Sequence, residues 1–91
     1  MIVKRSPVTA LVIDPVNPQT LYAGTSGYGV FRTTDHGAHW RLFSDGLPNL
    51  DIRLLALTPG RANALYAGTG SGIFVINLAS ETIPFRARSR T

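Results

Sequence analysis

Asp35, His36 and His39 fall within five consecutive residues, and a carboxylate beside two imidazoles is a set that could hold a metal ion. A stable site needs three protein ligands or more; Asp35 lies in a turn whose backbone amides can engage its carboxylate, which leaves the two imidazoles, and no third strong ligand lies nearby in a chain that has no cysteine. The histidines are therefore expected to be exposed turn residues, with no metal and no cofactor. Two glycine-rich runs, Gly24 to Gly29 and Gly68 to Gly72, resemble phosphate-cradling loops. Such loops need a following helix, whose amino end holds the phosphate. Strand-forming residues follow both runs here, so each reads as a hairpin turn. Glycosidic chemistry requires two carboxyl groups about 5 to 9 Å apart with one pKa raised. Asp14, Asp45, Asp51 and Glu81 all adjoin turn residues, where capping or solvation is their ordinary fate. No Ser-His-Asp combination stands out, and the chain is read as non-catalytic.

The elements that must position these groups come in two copies. Leu21-Tyr22-Ala23-Gly24-Thr25 recurs unchanged as Leu65-Tyr66-Ala67-Gly68-Thr69, 44 positions later. Val8, Leu11, Ile13 and Pro15 stand at the same offset from Ile52, Leu55, Leu57 and Pro59, while Gly29-Val30-Phe31 matches Gly72-Ile73-Phe74 after the loss of one residue. A single deletion in a glycine-rich stretch is what a loop tolerates. Repeats of about 40 to 45 residues are the length of one four-stranded propeller blade.

Short runs of β-branched and apolar residues fenced by Gly, Pro, Asn and Asp predict strands. In the first unit they span Val8 to Ile13, Thr20 to Thr25, Gly29 to Thr33 and Trp40 to Ser44; in the second, Ile52 to Leu57, Ala64 to Thr69, Gly72 to Asn77 and a weaker Thr82 to Arg86. Ala10-Leu11-Val12-Ile13 and Ile73-Phe74-Val75-Ile76 are apolar on both faces. Strands of that kind must be covered on both sides. Gly24, Gly68, Ala23 and Ala67 keep the second strand of each unit thin enough for another sheet to approach closely.

Thr33-Thr34-Asp35-His36-Gly37-Ala38-His39-Trp40 resembles the Asp-box, the (Ser/Thr)-x-Asp-x-Gly-x-x-Trp turn of sialidase, sortilin and xyloglucanase propellers. The Asp35 carboxylate can accept from the hairpin amides, Thr33 adds a hydroxyl, Gly37 supplies a positive φ, and the Trp40 ring packs beneath. The stretch from Ile13 to Thr25 also resembles these repeats, and the likeness covers about residues 8 to 77, with the box present once. It implies an all-β fold of two four-stranded antiparallel propeller blades, and it implies that Thr33, Asp35, Gly37 and Trp40 are structural. In that family the box lies on the rim opposite the face that usually binds ligand. Sialidase chemistry draws an arginine cluster, a tyrosine nucleophile and acidic partners from several blades, and two blades cannot hold that set.

The chain is thus divided into a lead-in at 1–7, a first unit with the box at 8–50, a second unit with a degenerate outer strand at 51–86, and a basic tail at 87–91. Arg86, Arg88 and Arg90 supply three of the net +4 charges, so the body is near neutral. The remaining basic residues are scattered singly, unlike the interleaved basic and aromatic surfaces that bind nucleic acid, and nucleic acid is not expected as a partner. No apolar run approaches the roughly 20 residues of a membrane span, and the first residues lack the apolar segment of a signal peptide. A membrane is not expected as a partner, and the compartment stays open.

Two blades cannot close a ring, because propellers hold about four to eight. The expected partners are copies of the chain, three or four closing one propeller. The loops between second and third strands and the connection between units should share one end, gathering Ser26, Tyr28, Asn49, Asp51, Arg53 and Ser71. An exposed aromatic among amide and carboxylate groups suits a carbohydrate or a peptide. The expected function is a non-catalytic binding or interaction module; the alternatives are a fragment of a larger glycoside-acting enzyme and a ligand-free structural repeat.

Overall fold

The computed structural model describes residues 7–44, 46–58 and 63–78, and the backbone of 87–89. Within them the chain is all β, in two antiparallel sheets that each use consecutive strands in sequence order. The first holds β1 (Val8–Ile13), β2 (Leu21–Thr25), β3 (Gly29–Thr33) and β4 (Arg41–Leu42). The second holds β5 (Ile52–Leu57), β6 (Ala64–Thr69), β7 (Gly72–Asn77) and β8 (Ala87–Ser89).

The internal repeat extends to irregularities. In β1 the register slips between Val8 and Ala10, and in β5 between Ile52 and Leu54, at equivalent positions. A bulge re-aims the extra side chain. At Thr9 the hydroxyl donates to the carbonyl of Ile52 in the other sheet, at 2.5 Å. At the end of β1 the two units use different chemistry for one job. The Asp14 carboxylate accepts from the amides of Val16 and Asn17, at 2.8 and 3.2 Å, and so satisfies the turn that starts β2. Its counterpart Thr58 closes the equivalent corner on the carbonyl of Ala64.

Two expectations are corrected. The fourth strand of the first unit is shorter than Trp40 to Ser44, because only Arg41 and Leu42 pair regularly with Arg32 and Phe31. Phe43 and Ser44 still cling to β3 through Val30: the Phe43 amide and Ser44 hydroxyl donate to its carbonyl, and the hydroxyl accepts from its amide. In the second unit, Thr82 to Arg86 lie outside the described residues, and the outer strand is Ala87–Ser89, inside the segment read as a basic tail. Its partners are Ile76, Val75 and Phe74. Removing residues 86–91 would therefore strip β7 of its outer neighbour and leave a bare edge.

One face of each sheet is buried against the other. Ala10, Val12, Tyr22, Val30 and Phe43 from the first unit meet Ile52, Leu55, Leu57, Leu65, Ala67 and Ile76 from the second. Tyr22 and Phe43 are tilted rings 5.5 Å apart, and the Arg32 guanidinium lies 4.3 Å over Phe43. The close approach runs through Gly24, where a Cβ would lie 2.5 Å from Ile52 Cγ2 and 3.5 Å from Leu55 Cδ1. Fully buried Ile52 occupies the space that the absent side chain leaves.

Gly24→Ala is expected to force Ile52 aside at a cost of about 1 to 3 kcal/mol, and Ile52→Ala alone to cost about 2 to 5 kcal/mol. Because the added methyl fills part of the space vacated, the double variant should be less destabilised than the sum. Additive losses in denaturant melts would mean that the two residues are not in contact.

Candidate functional site

The turn between β3 and β4 has its polar atoms closely matched. Thr33, itself buried, donates its hydroxyl to Asp35 Oδ1 at 2.7 Å and accepts from the amides of Gly37 and Asp35 at 3.0 and 3.3 Å. Asp35 Oδ1 also accepts from the His39 amide at 2.9 Å, and Oδ2 lies 2.7 Å from His39 Nδ1. Gly37 has φ of 95°, the left-handed conformation the turn requires, and a Cβ there would come 3.8 Å from the Trp40 ring. Trp40 is only half-buried, so the ring packs under the turn without being enclosed by it. His36, also left-handed at φ 61°, ties the turn to the β1–β2 connection by donating its amide to the carbonyl of Gln19 at 2.9 Å.

The Thr33 hydroxyl, then the His39 ring and amide, hold the Asp35 carboxyl well below the usual carboxylate range. A general acid or base works best with a pKa near the operating pH. Asp35 stays ionised at neutral pH and is consumed by the turn, so its chemistry is that of an acceptor. Both histidines are exposed residues of the turn, and the His39 ring is in addition engaged with that carboxylate. Among the described residues no group of three or more His, Cys, Asp or Glu is arranged to hold a metal ion. Beside the turn lies an open cleft of about 430 Å³, lined by Arg32, Thr34, Asp35, His39 and Arg41. The sequence reading passed over the two arginines, which become neighbours only through the pairing of Arg32 with Arg41 across β3 and β4.

At the other end of β3 the connection between units folds back on the β2–β3 hairpin. The amides of Gly27 and Gly29 both donate to the carbonyl of Leu50, at 3.1 and 2.9 Å, and Ser26 forms a β-bridge with Asp51. Tyr28, between those glycines, is exposed. Asn49 is the hinge of the polar group: its carboxamide oxygen accepts from the Asp51 amide at 2.8 Å, and its nitrogen donates to the Ser71 hydroxyl at 2.9 Å. Arg53, turned by its bulge, reaches Asp51 Oδ2 through Nε and Nη2 at 3.3 and 3.2 Å. The structure thus links Asn49, Asp51, Arg53 and Ser71 directly, and it sets Ser26 and Tyr28 beside them through the hairpin backbone. Gly70 is the residue the sequence reading missed. A Cβ there would stand 3.3 to 3.6 Å from Arg53, Asp51 and Asn49, so the three polar groups converge over a bare backbone. Asp45, at the start of this connection, lies outside the described residues.

No protein-family model, curated protein or solved structure matches the chain.

Thr33→Val keeps the shape and removes the hydroxyl on which the turn depends. It is expected to lower stability at pH 7 by about 1 to 2 kcal/mol. The carboxyl of Asp35 is depressed in the folded state, so its contribution is present above the unfolded value of about 3.9 and fades as pH falls through the folded value. Thr33→Val should flatten that acid-side loss and move the Asp35 carboxyl titration, read by NMR, upward toward the ordinary range. An unmoved titration would show that Thr33 does not hold the carboxylate.

Proposed function

We propose that this chain is a non-catalytic binding module, in which the two sheets are consecutive propeller blades and three or four copies complete the ring. Carbohydrate or peptide binds on the face formed by the β2–β3 and β6–β7 hairpins and the connection between units. The observation that carries this reading is the convergence of Asn49, Asp51, Arg53 and Ser71 over Gly70, beside exposed Tyr28. These groups offer amide, hydroxyl, carboxylate and guanidinium partners within one small area, and an aromatic ring supplies the stacking surface a sugar or peptide bond prefers. The β3–β4 turn, at the far end of the same strands, spends its hydrogen-bonding capacity on itself. Its resemblance to the Asp-box supports a structural role for Thr33, Asp35, Gly37 and Trp40.

Ring closure would present several copies of the polar group around one opening, and repetition raises avidity without any new contact. A multivalent glycan or peptide is therefore expected to bind far more tightly than its monovalent unit. On a glycan and peptide array, Tyr28→Ala and Asn49→Ala should each abolish the signal that the wild type gives. Binding that survives both, with NMR shifts at Asp35, His39 and Arg41, would move the site to the cleft beside the β3–β4 turn.

A further inference from the structure

The two units of one chain are near-copies in unequal surroundings, so each shows what the other lacks. Tyr22 is 2% exposed and Val30 0%, whereas their equivalents Tyr66 and Ile73 are 38% and 46% exposed. On the opposite faces the imbalance reverses: Ile52 is 0% exposed and Leu55 8%, whereas their equivalents Val8 and Leu11 are 52% and 56% exposed. The register places Leu54, Tyr66, Gly68 and Ile73 on one face of the second sheet, matching the face of the first that carries Ala10, Tyr22, Gly24 and Val30. Val8, Leu11 and Ile13 in turn match Ile52, Leu55 and Leu57, which cover that first-sheet face.

We propose that the Leu54, Tyr66 and Ile73 face of one copy receives the Val8, Leu11 and Ile13 face of the next, repeating between chains the interface that already joins the two sheets within one. This rests on the ring reading above and names its contact surfaces. Val8 takes on Gly68 the place that Ile52 takes on Gly24. In the single chain Leu54 lies over Gly68, where a Cβ would be 2.7 Å from its Cγ. Its equivalent is the smaller Ala10, so Leu54 swings off the glycine when Val8 arrives. The bulge supplies a second equivalence: Thr9 donates to the carbonyl of Ile52, and Arg53 occupies the matching bulge beside the place where Val8 of the next copy arrives. Because the two surfaces differ, the contact is head-to-tail, and one repeated rotation closes it.

The asymmetry allows a test by complementation. Leu11→Asp disables one surface and Ile73→Asp the other, both at exposed positions. Light scattering after size exclusion should give assembled wild type, each variant alone as a single chain, and an equimolar mixture with the mass of two chains, because each variant keeps the surface the other has lost. Formation of that pair also shows that both variants are folded. If circular dichroism shows that a variant has lost its sheet, Val8→Asp or Tyr66→Asp takes its place. Variants that assemble like wild type would overturn these surfaces while leaving the ring standing, and so would a single variant that pairs with itself. A monomeric wild type would remove the ring reading and this contact together.

Discussion

The seating of Ile52 on Gly24 is the contact on which the rest depends. A chain of this length buries only about 60 to 65% of its unfolded surface, and neither sheet has apolar material enough to stand by itself. Burying a side chain such as Ile52, Leu65 or Tyr22 contributes roughly 1.5 to 3 kcal/mol, and all three are fully buried only because the two sheets lie face to face. That stacking demands a thin strand. Gly24 in β2 provides it, and so a glycine in a strand, ordinarily a local weakness, here becomes the means of tertiary packing.

The same contact organises the polar end. The carbonyl of Leu50 meets the Gly27 and Gly29 amides only when the second unit is docked, and Ser26 bridges to Asp51 under the same condition. Asn49 then stands close enough to bond Ser71, a residue 22 positions along the chain in the other hairpin. The polar group is therefore a product of both units, whereas the β3–β4 turn belongs to the first unit and is tied back by its own Gln19. One end is built across a junction and the other within a hairpin, which is why they differ in what they leave open to solvent.

Much of this was legible in the residues. The repeated Leu-Tyr-Ala-Gly-Thr and the two-sided apolar strands give the all-β class, the start and end of β1, β3, β5, β6 and β7, and the need for stacking. The turn chemistry of Thr33, Asp35 and Gly37 could be read because its partners lie within a few residues. What escaped depends on distance or register. The bulges at Thr9 and Arg53 have no sequence mark, yet they aim a hydroxyl across the sheets and a guanidinium at Asp51. Arg32 and Arg41 are nine positions apart and adjoin only through strand pairing. Ala87–Ser89 alternates an arginine with small residues, a pattern equally suited to a solvated end, and its pairing is decided by the exposed edge of β7.

Small-angle X-ray scattering in dilute solution tests most directly whether the stacking of sheets continues beyond one chain. A single chain has a Cα radius of gyration of 11.9 Å. Three or four chains in one compact ring should give about 18 to 21 Å, with a distance distribution that reflects a central opening. A radius that stays near 12 Å at micromolar concentration would contradict the account, because the exposed faces of Leu11 and Tyr66 would then be stable in water without a neighbour.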